Sequence, residues 1–227
     1  SDYKVLVLTL SDDQVSPELQ RSLESKSSEI NVDDAAKLIG CINALSKKTL
    51  MDSKMLNETD PERMRRAVAF CPTIKLSKKT SGAFNVCRDA YYNTLLPNER
   101  AEIVNVEADH VDGSMGASIR DQKLQWLKDT PNDERECRIL TNVRCLSEGV
   151  DVPSLDAVLF LSPRNSQVDV VQSVGRVMRR APGKKYGYII IPVVVPSDVK
   201  PEDALNDNER FKVVWTVLNA LRAHDDR

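Results

Sequence analysis

Five short apolar runs recur along the chain, at Val68–Cys71, Ala108–Val111, Ile139–Asn142, Ala157–Leu161 and Tyr188–Val194, and helix-patterned segments separate most of them. Apolar runs of about four to eight residues read as buried strands. Strands that alternate with helices pair in parallel, because a parallel connection needs a crossover, and the crossover helices cover both faces of the sheet. The expected class is therefore α/β, a mainly parallel sheet with helices on both faces.

The flanking segments extend this plan. Ala35, Leu38, Ile39, Ile42 and Leu45 share one face of an amphipathic helix, with Asn31 or Asp33 as its cap. Phe211, Val214, Trp215, Leu218 and Leu221 mark a last helix, whose apolar stripe either docks on the sheet or faces a later domain. Tyr3 to Leu10 reads as a strand or as the tail of a link, and the serine-rich stretch from Ser11 to Asn31 as loop with some helix. With Pro61 opening the main domain, the expected division is a helical extension at 1–60, the α/β domain at 61–205 and a C-terminal helix at 206–227.

Composition narrows the function classes. A hydrophobic fraction of 41% is ample for a core, and 227 residues allow one domain plus an extension, or two small domains. The net charge of −2 offers no global attraction to nucleic acid, so any such binding rests on local contacts. Lys75, Lys78 and Lys79 form one basic cluster, which reads as a solvated helix face. The five cysteines form no Cys-x-x-Cys pair, so neither a zinc site nor a disulfide framework is expected, and no metal site is expected elsewhere. Cys71 and Cys87 sit among apolar residues and are expected to pack. His110 and His224 are far apart and suggest no catalytic pair. No apolar run approaches the ~20 residues that span a bilayer, so no membrane partner is expected. Tyr3–Leu10 is too short for a secretory core, and a reduced, cytoplasmic setting is the expectation.

The candidate site lies late in the chain. After Pro163, Asn165 or Ser166 can cap a helix in which Val170, Val171, Val174, Val177 and Met178 recur at helical spacing. Gln172, Arg176 and Arg179 stand at i, i+4 and i+7, so one amide and two guanidinium groups share a face. Guanidinium suits phosphate because it is planar, always charged and able to bind two oxygens at once. Gly175 sits beside that face, where glycine costs about 1 kcal/mol relative to alanine, and close approach of another surface would account for it. Upstream runs Glu148-Gly149-Val150-Asp151-Val152-Pro153. Pro153 biases Val152 toward an extended conformation, which puts Asp151 at a loop or strand edge. A carboxylate there either accepts hydrogen bonds from sugar hydroxyls or simply shapes the turn.

These two segments resemble motifs V and VI of superfamily 2 helicases and translocases. The pattern Gln-x-x-Gly-Arg-x-x-Arg is matched at Gln172, Gly175, Arg176 and Arg179. The wording from Cys145 to Val158 and from Val174 to Lys184 is most similar to restriction-enzyme helicase subunits, and among them to single-chain enzymes of the ISP type. DEAD-box proteins carry Thr-Asp where this chain has Val143-Arg144, which sets their RNA contacts aside. The resemblance implies a RecA-like fold and the C-terminal of two motor lobes. It also implies that ATP, with Mg2+ bound mainly by the first lobe, sits in the cleft between them. Arg179 then acts as arginine finger, Arg176 meets the γ-phosphate or a neighbouring carboxylate, Asp151 meets the ribose, Gly149 allows close approach, and Gln172 and Gly175 complete the ATP-binding set. Ala67–Cys71 followed by Thr73 resembles motif IV, so Thr73 inherits a phosphate contact compatible with capping a helix. Val111 to Arg120 resembles the next motif, with Gly113 at the turn and Arg120 as either a phosphate contact or a surface charge. Asn142 inherits a nucleic-acid contact in the same way.

No Gly-x-x-x-x-Gly-Lys-Ser/Thr loop and no strand ending in a magnesium-binding Asp-Glu pair is present in the sequence. Asp133 to Glu136 lies in a polar stretch without a preceding strand and reads as a loop. The expectation is a piece of a longer protein, inactive as an ATPase by itself, with the first lobe and further domains of the parent as partners. Three readings follow: a translocase lobe acting on double-stranded DNA from a restriction-modification system, a strand-separating lobe acting on DNA or RNA, or a catalytically silent RecA-like scaffold. The intact Gln172, Arg176 and Arg179 argue against the third.

Overall fold

A computed structural model describes residues 2–26, 29–48, 60, 62–143, 152, 155–162, 170–172, 174, 175, 179, 181–200, 203, 209 and 211–225. Six strands form one wholly parallel sheet: β1 (Asp2–Ser11), β2 (Arg66–Phe70), β3 (Asn105–His110), β4 (Glu136–Asn142), β5 (Ala157–Phe160) and β6 (Tyr186–Val195). Their order across the sheet is β1-β6-β5-β2-β4-β3. The helices are α1 (Pro17–Lys26), α2 (Val32–Leu45), α3 (Ile74–Thr94), α4 (Pro97–Glu102), α5 (Ala117–Lys128) and α6 (Lys212–Asp225). Residues 170–172, 174 and 175 are also helical.

The sheet runs across the boundary expected at Pro61. β1 belongs to the 1–60 segment, yet it pairs with β6 from Asp2↔Tyr186 to Ser11↔Val195 and forms an edge of the sheet. α2 closes on it so tightly that a Cβ added at Gly40 would lie 2.6 Å from Leu10 Cδ1. Asn31 caps α2, its side chain accepting a bond from the Asp34 amide at 2.7 Å. All five expected strands are present. β3 and β4 begin earlier than their apolar runs, because β3 alternates buried and exposed residues as an edge strand does. The outer edge of β3 is covered by α3: Asn85 both donates to Ala108 O and accepts from Ala108 N, at 2.9 Å each, and Arg88 donates to Val106 O. Such cover blunts an edge that would otherwise pair with another chain.

Successive side chains along each strand point to opposite faces, and this sorts the core into two layers. Ala67, Ala69, Ala157, Leu159 and Ile190 pack beneath α1, α2 and α3. Val68, Phe70, Leu140, Val158, Phe160 and Ile189 pack beneath Leu127 of α5, Val170, Val174 and the apolar stripe of α6. Phe70 and Phe160 stack at 6.0 Å between centroids. The last helix therefore docks on the sheet, although Trp215 is left half exposed. Cys41, Cys71, Cys87 and Cys137 are buried thiols, and burial pushes those of Cys41 and Cys87 up to about 12, which leaves them packed and inert.

Candidate nucleotide and nucleic-acid interface

In a parallel sheet every strand ends on the same side, and the loops there are where ligands bind. β2 leads through Pro72 into α3. Thr73 caps that helix, its hydroxyl accepting from the Leu76 amide at 3.1 Å. The other first-turn amides lack intrahelical partners and carry the positive end of the helix dipole, so they suit an anion. Thr73, Ile74 and Lys75 are all exposed at this end, and Lys78 lies a turn further on.

β3 ends at His110, and the chain then turns through Asp112, Gly113 and Ser114 into α5. Gly113 is exposed, and a Cβ there would meet nothing within 4 Å. Arg120, in the first turn of α5, is partly exposed. Asn142, at the end of β4, is fully buried, which differs from the contact expected of it. Its side chain donates to Ala69 O at 3.4 Å, its carbonyl accepts from Cys71 N at 2.8 Å, and its Oδ1 has no partner among the described residues.

A buried polar cluster joins these loops. His110 Nδ1 lies 2.7 Å from Ser77 Oγ of α3, and His110 Nε2 lies 2.7 Å from Asp112 Oδ2. Ser77 Oγ also lies 3.0 Å from Thr141 Oγ1 of β4. Asp112 Oδ1 accepts from the Ser114 amide at 2.8 Å and from the Ser114 hydroxyl. The Ser114 hydroxyl first, and His110 second, hold the Asp112 carboxyl down to about 2. Lys78 Nζ stands 3.9 Å from Asp112 Oδ2. The sequence read His110 as lacking a catalytic partner and passed over the cluster. The one available signal was a histidine two residues before an aspartate at the end of an apolar run.

The other half of the site shares a layer with α5, on the opposite face of the sheet from α3. Val170 and Val174 are buried against the sheet, while Gln172, Gly175 and Arg179 are exposed. For Gln172 and Gly175 this is the division of faces expected from the helical spacing, whereas Arg179 stands at a bend and not in a helical turn. A Cβ at Gly175 would meet nothing within 4 Å, so no described residue of this chain requires glycine there. The Arg179 carbonyl accepts from Lys184 Nζ at 3.0 Å. Gly149, Asp151 and Arg176 lie outside the described residues. Exposed amide and guanidinium groups can bind a polyanion, and the loops after β2 and β3 offer helix-end amides, hydroxyls and lysines to another. Among the described residues no three His, Cys, Asp or Glu side chains gather as a metal site, and no helix is long and apolar enough to cross a membrane.

Comparison with known proteins places the chain. A family model described as the helicase conserved C-terminal domain matches residues 47–181. A protein named as a probable helicase of African swine fever virus is 36% identical over 93 residues, which is 41% of this chain and 10% of that protein. Among solved structures, the ATP-dependent type ISP restriction-modification enzyme LlaBIII bound to DNA superposes with a TM-score of 0.82 at 38% identity, covering 98% of this chain and 14% of that one. Helicase Lhr of Mycobacterium smegmatis, bound to single-stranded DNA and AMP-PNP, shares the fold at a TM-score of 0.51 and 14% identity, covering 97% of this chain and 22% of that one. The chain thus spans about a tenth to a fifth of the length of these relatives. With six parallel strands, helices on both faces and the family match across most of the sheet, the chain belongs to the helicase conserved C-terminal domain family.

Proposed function

We propose that this chain is the second RecA-like motor lobe of an ATP-dependent DNA translocase or helicase, from a restriction-modification enzyme. The observation that carries the reading is the exposure of Gln172 and Gly175 on the outer side of a helical segment whose inner side, Val170 and Val174, is buried, with Arg179 exposed at a bend beyond it. The likeness to LlaBIII supports the choice of DNA and of a restriction system. The amide and guanidinium groups fit a nucleoside triphosphate, with Mg2+ held by the first lobe. Arg179 is the arginine finger, which stabilises charge developing on the transferred phosphoryl group. Arg176 meets the γ-phosphate or a neighbouring carboxylate, Asp151 meets the ribose, and Gly149 lets the nucleotide approach.

Duplex DNA lies along the loops that follow β2 and β3. Thr73 and the first turn of α3, Gly113 and Arg120 meet its phosphates. Asn142 contributes from inside by holding the end of β4 against β2. Phosphate contacts position the protein without reading sequence, so target choice rests with other parts of the parent. The cytoplasm, where such an enzyme meets DNA and ATP, is the proposed setting.

The test is ATP turnover by the full-length parent, with and without duplex DNA, for wild type and Arg179→Ala. Duplex DNA should stimulate wild type, and the substitution should remove about 10³-fold or more of that turnover. Stimulation by RNA alone would replace DNA with RNA as the track. Unchanged turnover in the variant would remove Arg179 from the site, and no turnover with any nucleic acid would favour a silent scaffold.

A further inference from the structure

We infer that His110 is a positioning residue for the nucleic-acid grip, tying the first turns of α3 to the 111–116 loop that leads into α5. The inference rests on the proposed reading that both segments meet the DNA backbone. It rests equally on a geometry in which one imidazole bridges them. On one side the ring meets Ser77 Oγ at 2.7 Å, one helical turn beyond the Thr73 cap. On the other it meets Asp112 Oδ2 at 2.7 Å, and Asp112 Oδ1 takes both the amide and the hydroxyl of Ser114. The ring therefore fixes Asp112, Asp112 fixes the turn at Gly113–Ser114, and the turn fixes where α5 and Arg120 begin.

A third element is locked by the same group. Ser77 Oγ donates to Thr141 Oγ1 at 3.0 Å, and Thr141 Oγ1 donates to the Ser77 carbonyl at 2.9 Å. Thr141 immediately precedes Asn142, where β4 ends. The helix after β2, the loop after β3 and the end of β4 are thus joined through His110 and Ser77. Ser77 and Thr141 are fully buried, Asp112 is 1% exposed and His110 is 6% exposed. Groups this deeply buried cannot exchange their partners for bulk water, so loss of the ring leaves Ser77 and Asp112 each short of a bond. The buried carboxylate then has every reason to turn outward toward Lys78, which already stands 3.9 Å away. That movement would carry the loop with it; the bonds that break are those of His110, Ser77, Asp112 and Ser114, whereas Gln172 sits on a segment seated separately through Val170 and Val174.

DNA-stimulated turnover by the full-length parent separates this role from a merely structural one. His110→Ala should raise the duplex DNA concentration for half-maximal stimulation by about tenfold. Turnover at saturating DNA should stay within about twofold of wild type. Ser77→Ala, a smaller change on a different element, should give the same split, and the double variant should add little to either alone because both remove one bridge. The inference is overturned if both single variants keep the wild-type half-saturating concentration, or if they lower saturating turnover instead. Failure of wild type to respond to DNA would sink the proposed function first, and this inference with it. A responsive wild type beside variants with the same half-saturating concentration would sink this inference alone.

Discussion

The two ends of the sheet carry polar clusters of opposite design. At the N-terminal ends of the strands, charged side chains turn inward onto the main chain. Arg66 donates to the carbonyls of Leu127, Lys128 and Asp129 at the end of α5, and Arg65 donates to those of Pro131 and Asp133. Asp156 accepts from the amides of Arg65 and Arg66, at 2.7 and 3.0 Å. Lys47 is buried against Asp60 at 2.9 Å, and the Tyr188 hydroxyl donates to the same carboxylate at 2.7 Å. At the C-terminal ends, the buried cluster is an imidazole, a carboxylate and the hydroxyls of Ser77 and Thr141, while Lys75 and Lys78 remain exposed beside it. Cations at one end are taken up by carbonyls and by a carboxylate, as in a clamp. At the other end they are held outward, as a ligand site requires.

The sharpest way to break that comparison is to attack the clamp. Lys47 has a φ of 57°, a left-handed conformation that costs a non-glycine residue about 1 kcal/mol or more and persists only where neighbours impose it. Asp60→Ala would leave the Lys47 ammonium buried without its carboxylate. Burial already pulls the lysine below its ordinary pKa, against the Asp60 contact that raises it. Chemical unfolding should show a loss of about 3–5 kcal/mol. The response to DNA per folded molecule should be unaltered. A loss under about 1 kcal/mol would mean that the pair is solvated and that the clamp is not what holds this end.

Two aspartates sharpen the contrast through pH. Burial raises the pKa of Asp156 above 3.8, with the backbone bonds from Arg65 and Arg66 opposing. The Ser114 hydroxyl lowers that of Asp112 to about 2. A raised carboxyl binds its proton more tightly when folded, so Asp156 adds stability as pH falls through its folded value. A lowered one does the reverse: Asp112 stabilises above its unfolded value near 3.8, and that contribution disappears as pH falls to about 2. Asp112→Asn should therefore flatten the acid limb of a stability-versus-pH curve between those values, removing roughly 2 kcal/mol of its span. Asp156→Asn, which keeps an acceptor oxygen, should steepen the curve on the other side of 3.8, between that value and the raised folded one. Identical acid limbs in wild type and Asp112→Asn would show that this carboxylate is not held by its loop.

Legibility in the sequence follows the same divide. The strands were readable because a parallel sheet buried on both faces needs continuous apolar runs, and Ile139–Asn142 or Tyr188–Val194 have no other use. The early starts of β3 and β4 were not readable, because an edge strand alternates and Arg138 enters β4 through bonds to residues of α5. The exposed Gln172 and Gly175 were legible because helical spacing alone separates them from Val170 and Val174. His110 was not. Its partners Ser77 and Asp112 come from α3 and from the far side of β3, and Ser77 lies 33 positions away. Only the packing of a crossover helix on its sheet brings that serine to the ring, and no local pattern encodes that.

The smallest expected effect falls at Thr73, where the comparison is most finely balanced, since one hydroxyl both finishes a helix and faces the proposed DNA. Thr73→Ala removes the bond to the Leu76 amide and should cost about 1 kcal/mol of stability. Thr73→Ser retains an oxygen at the same place and should restore most of it. If the cap also meets phosphate, the alanine variant should bind duplex DNA more weakly than its stability loss explains, equally for all sequences, because a backbone contact carries no base information. Full DNA affinity in a destabilised Thr73→Ala would leave a helix cap and nothing more. The grip at this end would then rest on the main-chain amides of α3 and on the loop that His110 holds.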